Sequence, residues 1–303
     1  MNATVTAEIR HPEMLEKIES GQGFIAALDQ SGGSTPGALK GYGIAEDAYS
    51  NDEEMFGLIH EMRSRIITAP SFGNGKVIGA ILFEKTMDGT ANGKPVPQLL
   101  WERGVVPFLK VDKGLADEAD GVQLMKPNPD LEALLDRANA KGVFGTKMRS
   151  VIKLANPAGI AAAVAQQFDE AKRILAKGLM PIIEPEVSIK SPERDAADRI
   201  MLAEIEKQLD ALPEGEKVML KLTIPAEAGL FQPLVDHPKE QRVVALSGGF
   251  SREEACAELA KNPGMIASFS RALLSDLRAG QSDEEFDRTL GTAIDEIHAA
   301  SVA

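Results

Sequence analysis

Eight short apolar runs alternate with amphipathic helical stretches from Phe24 to the end of the chain. The runs are Phe24–Asp29, Val77–Phe83, Val106–Val111, Val143–Arg149, Met180–Val187, Val218–Thr223, Val243–Ser247 and Met265–Phe269. They are rich in Val, Ile and Leu and almost continuously apolar, which is the signature of parallel strands covered by helices. The stretches between them carry helix boundary signals. Asn156-Pro157 opens one helix and Lys177-Gly178 closes it. Ser251-Arg252-Glu253-Glu254, Ser282-Asp283-Glu284-Glu285 and Ser50-Asn51-Asp52-Glu53 read as capping boxes. A further helix, Pro12 to Ser20, precedes the first strand and stops at Gly21. No low-complexity linker divides the 303 residues. Eight strand–helix units predict an α/β fold, a (β/α)8 barrel of the TIM type, as a single domain over 1–303 with an extra N-terminal helix.

In such a barrel the chemistry sits where strands run into the following loops. Here every strand end is polar, ionisable or glycine-rich while the strand bodies are apolar. The ends carry Asp29, Glu84-Lys85, Lys110-Val111-Asp112-Lys113, Lys147-Met148-Arg149, Glu184-Pro185-Glu186, Lys221, Ser247-Gly248-Gly249 and Ser268-Phe269-Ser270-Arg271. Strand periodicity points Lys147 and Arg149 the same way, and likewise Lys110 with Asp112 and Glu184 with Glu186. One mouth therefore gathers cations and carboxylates together.

Lys221 stands alone within Val218-Met219-Leu220-Lys221-Leu222-Thr223-Ile224. Burial disfavours the ammonium form, and neighbouring cations add to that effect. A neutral buried amine attacks carbonyls to form Schiff bases. A lysine snorkelling to water or pairing with a buried carboxylate is the plainer reading of the strand taken alone. The convergent strand ends favour the nucleophile, with a carboxylate to shuttle protons during carbinolamine formation and loss. Ser247-Gly248-Gly249 ahead of a capped helix is suited to an anion, and Arg271 can add a forked contact. Ser31-Gly32-Gly33-Ser34 is a second glycine-rich loop of this kind. Two anion-suited loops together with cations point to a substrate bearing two phosphates.

Composition narrows the class. The formal net charge of -13 opposes broad nucleic-acid binding. An anionic substrate then needs a local cluster of cations. A single cysteine, Cys256, excludes an internal disulfide framework. The four histidines, His11, His60, His237 and His298, show no metal-ligand spacing, so no metal or other cofactor is expected. Met1 to Arg10 lacks an apolar signal core and no run is long enough to span a bilayer, which reads as a cytosolic protein without membrane attachment. Nothing in the sequence opposes a homo-oligomer.

Taken in order, six segments resemble class I fructose-bisphosphate aldolase in its shorter bacterial form. They are Ala27-Leu28-Asp29-Gln30-Ser31, Leu109-Lys110-Val111-Asp112-Lys113-Gly114, Thr146-Lys147-Met148-Arg149, Pro181-Ile182-Ile183-Glu184-Pro185-Glu186, Leu246-Ser247-Gly248-Gly249 and Ser270-Arg271-Ala272-Leu273. The resemblance covers nearly the whole chain. It implies a metal-independent lyase of glycolysis and gluconeogenesis that reversibly cleaves fructose 1,6-bisphosphate into dihydroxyacetone phosphate and glyceraldehyde 3-phosphate. Lys221 matches the Schiff-base lysine and Glu184 the acid/base of carbinolamine dehydration. Asp29 matches the residue that takes the C4 hydroxyl proton, and Lys147 an electrostatic and proton-handling partner. Glu186 matches a carboxylate beside Glu184, and Lys110 lines the site. Ser247, Gly248, Gly249 and Arg271 match the phosphate site of the dihydroxyacetone half. Ser31, Ser34 and Arg149 match the substrate-binding mouth, the serines near the second phosphate.

The chain also departs from that pattern. The longer animal enzymes end in a tyrosine, whereas this sequence ends Ser301-Val302-Ala303 and its tyrosines are Tyr42 and Tyr49. Ser270 stands in place of a glycine and Met148 in place of a tryptophan. Lys40 is the basic residue offered for the second phosphate. The alternatives are a Schiff-base aldolase acting on another ketose phosphate and a non-catalytic binding barrel.

Overall fold

The computed structural model describes residues 9–303, so most of the reading of Met1 to Arg10 lies outside the described residues. Eight strands follow one another as β1 (Phe24–Leu28), β2 (Val77–Leu82), β3 (Val106–Lys110), β4 (Gly145–Ile152), β5 (Met180–Val187), β6 (Val218–Thr223), β7 (Glu240–Leu246) and β8 (Ile266–Ala267). Spatial order equals chain order and each neighbouring pair is parallel. The Ala27 amide donates to the Phe269 carbonyl at 3.1 Å and brings the ends of the sheet together. The Ala267 amide of β8 donates to Ser301 Oγ at 3.0 Å, on the terminal helix Asp283–Ser301. The result is the (β/α)8 barrel that the alternation predicts.

The period of two separates two cores. Ile25, Val106, Phe108, Ile182, Met219, Val244 and Ile266 pack inside the barrel, with Met14 and Ile18 of the helix Pro12–Ser20 closing the floor. Their alternating neighbours, such as Ala26, Leu109, Ile183 and Leu220, pack outward against the helices. Gly145 is required inside. A Cβ there would lie 2.3 Å from the Met180 carbonyl oxygen and 2.9 Å from the Phe108 ring. Phe108 meets Phe144 edge to face across a 5.4 Å centroid distance.

Three local features differ from expectation. β4 runs past Arg149 to Ile152, paired in parallel with β5 as far as Val187 and antiparallel with Val122–Gln123 of the β3–β4 connection. A two-residue ladder, Thr90–Ala91 with Lys94–Pro95, turns at Asn92 and Gly93, both at positive φ. The helix Asp52–Thr68 is capped by Asn51 rather than Ser50. The Asn51 carboxamide reaches the Glu54 amide at 2.9 Å, and Glu54 accepts from the Ser50 amide at 2.7 Å, so the box is shifted by one residue. The predicted caps at Asn156, Ser251 and Ser282 all form.

The loop that follows β6 is tied to the helix Arg194–Ala211. Asp198 Oδ2 accepts the Ala226 amide at 3.0 Å, and the Arg194 guanidinium donates to the Ile224 carbonyl. Asp198 is fully buried, and burial pushes its carboxyl up to about 6 although the Ala226 N–H works the other way. A carboxyl raised on folding contributes stability that is complete below its ordinary value and is lost as pH rises through about 6. Urea unfolding of the wild type is therefore expected to show stability falling by up to about 3 kcal/mol between pH 4 and pH 7 from this group. Asp198→Asn keeps the acceptor without the charge, and its curve is expected to lack that component.

Candidate active site

The alternation that fills the barrel floor with Ile25, Phe108, Ile182 and Met219 carries the same inward rows upward to Asp29, Lys110, Glu184 and Lys221. Two residues of rise per inward position turn an apolar core into an ionic cup. These side chains line a cavity of about 1260 Å³ at the C-terminal ends of the strands, together with Lys147, Arg149 and Glu186.

Glu184 is the hub. Its Oε1 lies 3.2 Å from Lys221 Nζ and its Oε2 lies 2.9 Å from Lys147 Nζ. Lys147 Nζ also lies 2.7 Å from Asp29 Oδ2. Lys147, Glu184 and Lys221 are each less than 5% exposed and Asp29 is 9% exposed, so the four charges interact with little solvent between them. Glu184 Oε2 nevertheless lacks an aligned hydrogen-bond donor, because Lys147 approaches it as an ion contact and not along a bond direction. That oxygen keeps acceptor capacity. Glu184, the carboxylate expected to shuttle protons at Lys221, thus lies beside it and contacts Lys147 through its other oxygen.

The charges fix one another. Burial alone raises the Asp29 carboxyl, but Lys147, Lys221 and Lys110 together hold it well below the usual carboxylate range. Burial alone lowers Lys147, but Asp29, Glu184 and Asp112 hold it well above the usual lysine range. Lys147 is therefore a cation and Asp29 an anion in the resting site at working pH. Glu186 is raised, first by burial and then by Glu184, with Arg149 opposing at 2.9 Å. Lys110 pairs with Asp112 Oδ1 at 2.6 Å. Asp112 also accepts the amides of Gly114 and Arg149 at 3.1 and 3.2 Å, which stitches the end of β3 to β4.

Two supporting residues escaped the sequence reading. Gln167, fully buried on the helix Pro157–Leu175, accepts the Glu184 amide at 2.7 Å and donates to Ser150 Oγ at 2.6 Å. It pins the strand at the hub residue. The parallel register of β5 with β6 covers Ile182 and Ile183 and stops short of Glu184. Arg63, also fully buried, donates to Thr86 Oγ1 at 2.9 Å and to the Gln30 carbonyl, supporting the segment after Asp29. Burial lowers its guanidinium to about 10 against the pull of Asp29. A glutamine in an apolar helix face, spaced for burial in Ala163-Val164-Gln167-Phe168, was the available signal for Gln167.

The remaining predicted residues fall around the rim. Ser247 and Gly248 line the cavity, and Phe250 N–H closes the turn onto the Ser247 carbonyl at 2.9 Å. Gly248 has φ +60° and a Cβ there would sit 2.7 Å from Ile189, so glycine is required. Gly249 is not part of the lining and instead lies against the Arg271 guanidinium, which is. Ser31 and Ser34 line the opening, bonded to each other: the Ser31 amide donates to Ser34 Oγ, which donates to the Ser31 carbonyl. Lys40 is exposed on the helix Thr35–Tyr42 and does not line the cavity. Ser270 Oγ accepts from Gln30 Nε2, which joins the ends of β1 and β8.

A barrel whose mouth holds a buried lysine, a shared carboxylate and a permanent base is built for Schiff-base lyase chemistry. The family described as glycolytic, fructose-bisphosphate aldolase class-I, matches residues 14–209, well over half of the chain. The chain belongs to the class I fructose-bisphosphate aldolases, a metal-independent class of lyases. The matched segment includes Asp29, Lys147 and Glu184 and ends before Lys221, which joins them through the geometry of the cup. The fold is similar to that of fructose-bisphosphate aldolase from Plasmodium falciparum, solved in complex with TRAP and a small-molecule inhibitor (20% identity, TM-score 0.77, covering 95% of this chain and 93% of that one). It is also similar to fructose-bisphosphate aldolase from Slackia heliotrinireducens (15% identity, TM-score 0.57, covering 100% of this chain and 91% of that one). No helix among the described residues is long and apolar enough to cross a membrane.

Removing the central cation has a definite sign. Lys147→Met leaves Asp29 and Glu184 buried without it, an expected loss of about 3 to 5 kcal/mol in urea unfolding at neutral pH. The Asp29 carboxyl rises, so the acid limb of the kcat/KM profile is expected to move to higher pH. Gln167→Leu leaves the buried Glu184 amide unpaired, at an expected cost of about 1 to 3 kcal/mol. Steady-state kinetics on that variant are expected to show kcat falling with KM little changed.

Proposed function

We propose that the protein reversibly cleaves fructose 1,6-bisphosphate to dihydroxyacetone phosphate and glyceraldehyde 3-phosphate through a Schiff base on Lys221. The observation that carries this reading is the single carboxylate of Glu184 between Lys221 and Lys147, at the head of a cavity whose rim holds Ser247, Gly248 and Arg271. Lys221 passes a proton to Glu184 Oε1, and the free Nζ attacks the ketose C2 carbonyl. Glu184 returns a proton to the carbinolamine hydroxyl, which leaves as water, and the iminium forms. Lys147 holds Glu184 and Asp29 in place and remains protonated throughout.

Asp29, ionised at working pH, takes the C4 hydroxyl proton. The C3–C4 bond breaks, its electron pair moves into the iminium to give an enamine, and the aldehyde half departs. The proton taken from the C4 hydroxyl is balanced by the one delivered to C3 of the enamine, which restores the Asp29 carboxylate, and water then adds to the iminium and expels the Lys221 amine, releasing the ketone half. Ser247, the Gly248 backbone and Arg271 hold the phosphate of the ketone half. Glu186, raised by burial, is a second proton-carrying group beside Glu184.

Borohydride added with dihydroxyacetone phosphate is expected to leave a stable adduct on the peptide carrying Lys221, read by mass spectrometry. Lys221→Met is expected to give no adduct and to lose cleavage by about a thousandfold or more. An adduct on another lysine, or wild-type cleavage abolished by EDTA, would overturn the mechanism.

A further inference from the structure

The end of β6 is held to its two neighbours in different ways. With β7 the parallel register runs as far as Thr223 opposite Leu246, past Lys221. With β5 it covers Met219 and Leu220 opposite Ile182 and Ile183 and goes no further. The strands that carry Glu184 and Lys221 therefore reach the mouth without a backbone ladder between them. Side chains take its place. Thr223 Oγ1 donates to the Val187 carbonyl at 2.6 Å, which ties the last residues of β6 and β5 together.

Pro225 then lacks the N–H that a longer strand would need. The helix Arg194–Ala211, which follows β5, brackets that proline with two side chains one turn apart. The Arg194 guanidinium donates to the Ile224 carbonyl before it, and Asp198 accepts the Ala226 amide after it. Arg194 has a second contact. Its guanidinium carbon lies 5.6 Å from the centre of the Phe250 ring, within the range at which a cation is attracted to an aromatic face. Arg194 Nε is buried and has no hydrogen-bond partner among the described residues. The group is thus held by the Ile224 carbonyl and by the ring.

Phe250 closes the turn Ser247–Gly248–Gly249 through its own N–H. The same turn sits on Ile189, in the connection between β5 and the helix, so closely that a Cβ on Gly248 would lie 2.7 Å from it. The start of this one helix therefore reaches the end of β6 and the turn after β7 at once. Neither Arg194 nor Phe250 lines the cavity, so any effect they have on a bound sugar passes through the backbone they hold.

We propose that Arg194 is a positioning residue: by gripping both Ile224 and Phe250 it fixes the Ser247–Gly249 turn relative to the strand of Lys221. This rests on the Schiff-base reading above, in which that turn holds the phosphate of the ketone half. The phosphate is then a tether whose far end is the carbonyl that Nζ attacks. Looseness of the turn is passed along the tether, and attack geometry is sensitive to displacements of about 1 Å. A ketone without phosphate has no tether and does not feel Arg194.

The test measures initial rates of borohydride trapping on Lys221 with dihydroxyacetone phosphate and with dihydroxyacetone, which offers the same carbonyl without the phosphate. Full-length wild type, Arg194→Met, Phe250→Leu and the double variant are compared by mass spectrometry. The wild type is expected to prefer the phosphorylated ketone. Each single variant is expected to lower that preference about three- to tenfold, the size of one cation–π contact, with dihydroxyacetone trapped at the wild-type rate. The double variant is expected to be no worse than Arg194→Met, because both changes remove one contact. Phe250→Leu leaves the bond to Ile224 in place and reads the contact even if Arg194→Met does not fold. Equal losses on both ketones, an unchanged preference, or losses that add in the double variant would overturn the positioning role. A wild type that traps neither ketone would instead remove the Schiff-base reading, and one that traps both equally well would remove the tether; either result takes the proposal with it.

Discussion

One carboxylate, shared by two lysines, organises this molecule. Glu184 lies within ion-pair distance of both Lys221 and Lys147, and Lys147 reaches on to Asp29. Each of these groups would be costly to bury alone. Together they form an alternating chain, lysine–carboxylate–lysine–carboxylate, drawn from β6, β5, β4 and the end of β1. The barrel is what allows strands distant in sequence to bring these charges together. The charges in turn require that the strands keep register, because a slip by one residue would aim them at the helices.

The division of labour follows from that chain. In the resting site Lys147 is held positive and Asp29 negative by their neighbours. Lys221 and Glu184 lie 3.2 Å apart and are the pair to which the proposed mechanism gives the proton exchange. Family membership supplies the class of chemistry, and the proposed mechanism gives each step a residue of the cup. Lys147, held positive by its neighbours, supplies a fixed field toward developing charge, which is how preorganised sites lower barriers without reorganising.

Much of this was legible in the sequence because it depends on periodicity. The eight strands, the floor helix and the inward direction of Lys110, Lys147, Glu184 and Lys221 all follow from a period of two read along apolar runs. What was not legible depends on contacts between distant segments. Gln167 looks like one polar residue on an apolar helix face until the fold lays it against the Glu184 amide. Arg63, a charged residue within the helix Asp52–Thr68, is fully buried behind Gln30. Spacing along each strand says which way a side chain points, but not that Glu184 is interposed between two lysines. The β3–β4 connection gave no strong pattern, since its short strand exists only through pairing with the end of β4.

The floor of the barrel has a consequence for the order of events at its mouth. Met14 and Ile18 close the interior beneath Ile25, Phe108 and Met219, so among the described residues the cup has a packed end and an open one. Both halves of a cleaved sugar must leave through the opening by which the whole sugar came in. On the Schiff-base reading proposed above, one half is still joined covalently to Lys221 when the other is set free. The untethered aldehyde must then depart first, and the closed floor makes the enzyme a dead-end vessel that empties in sequence, last in being last out.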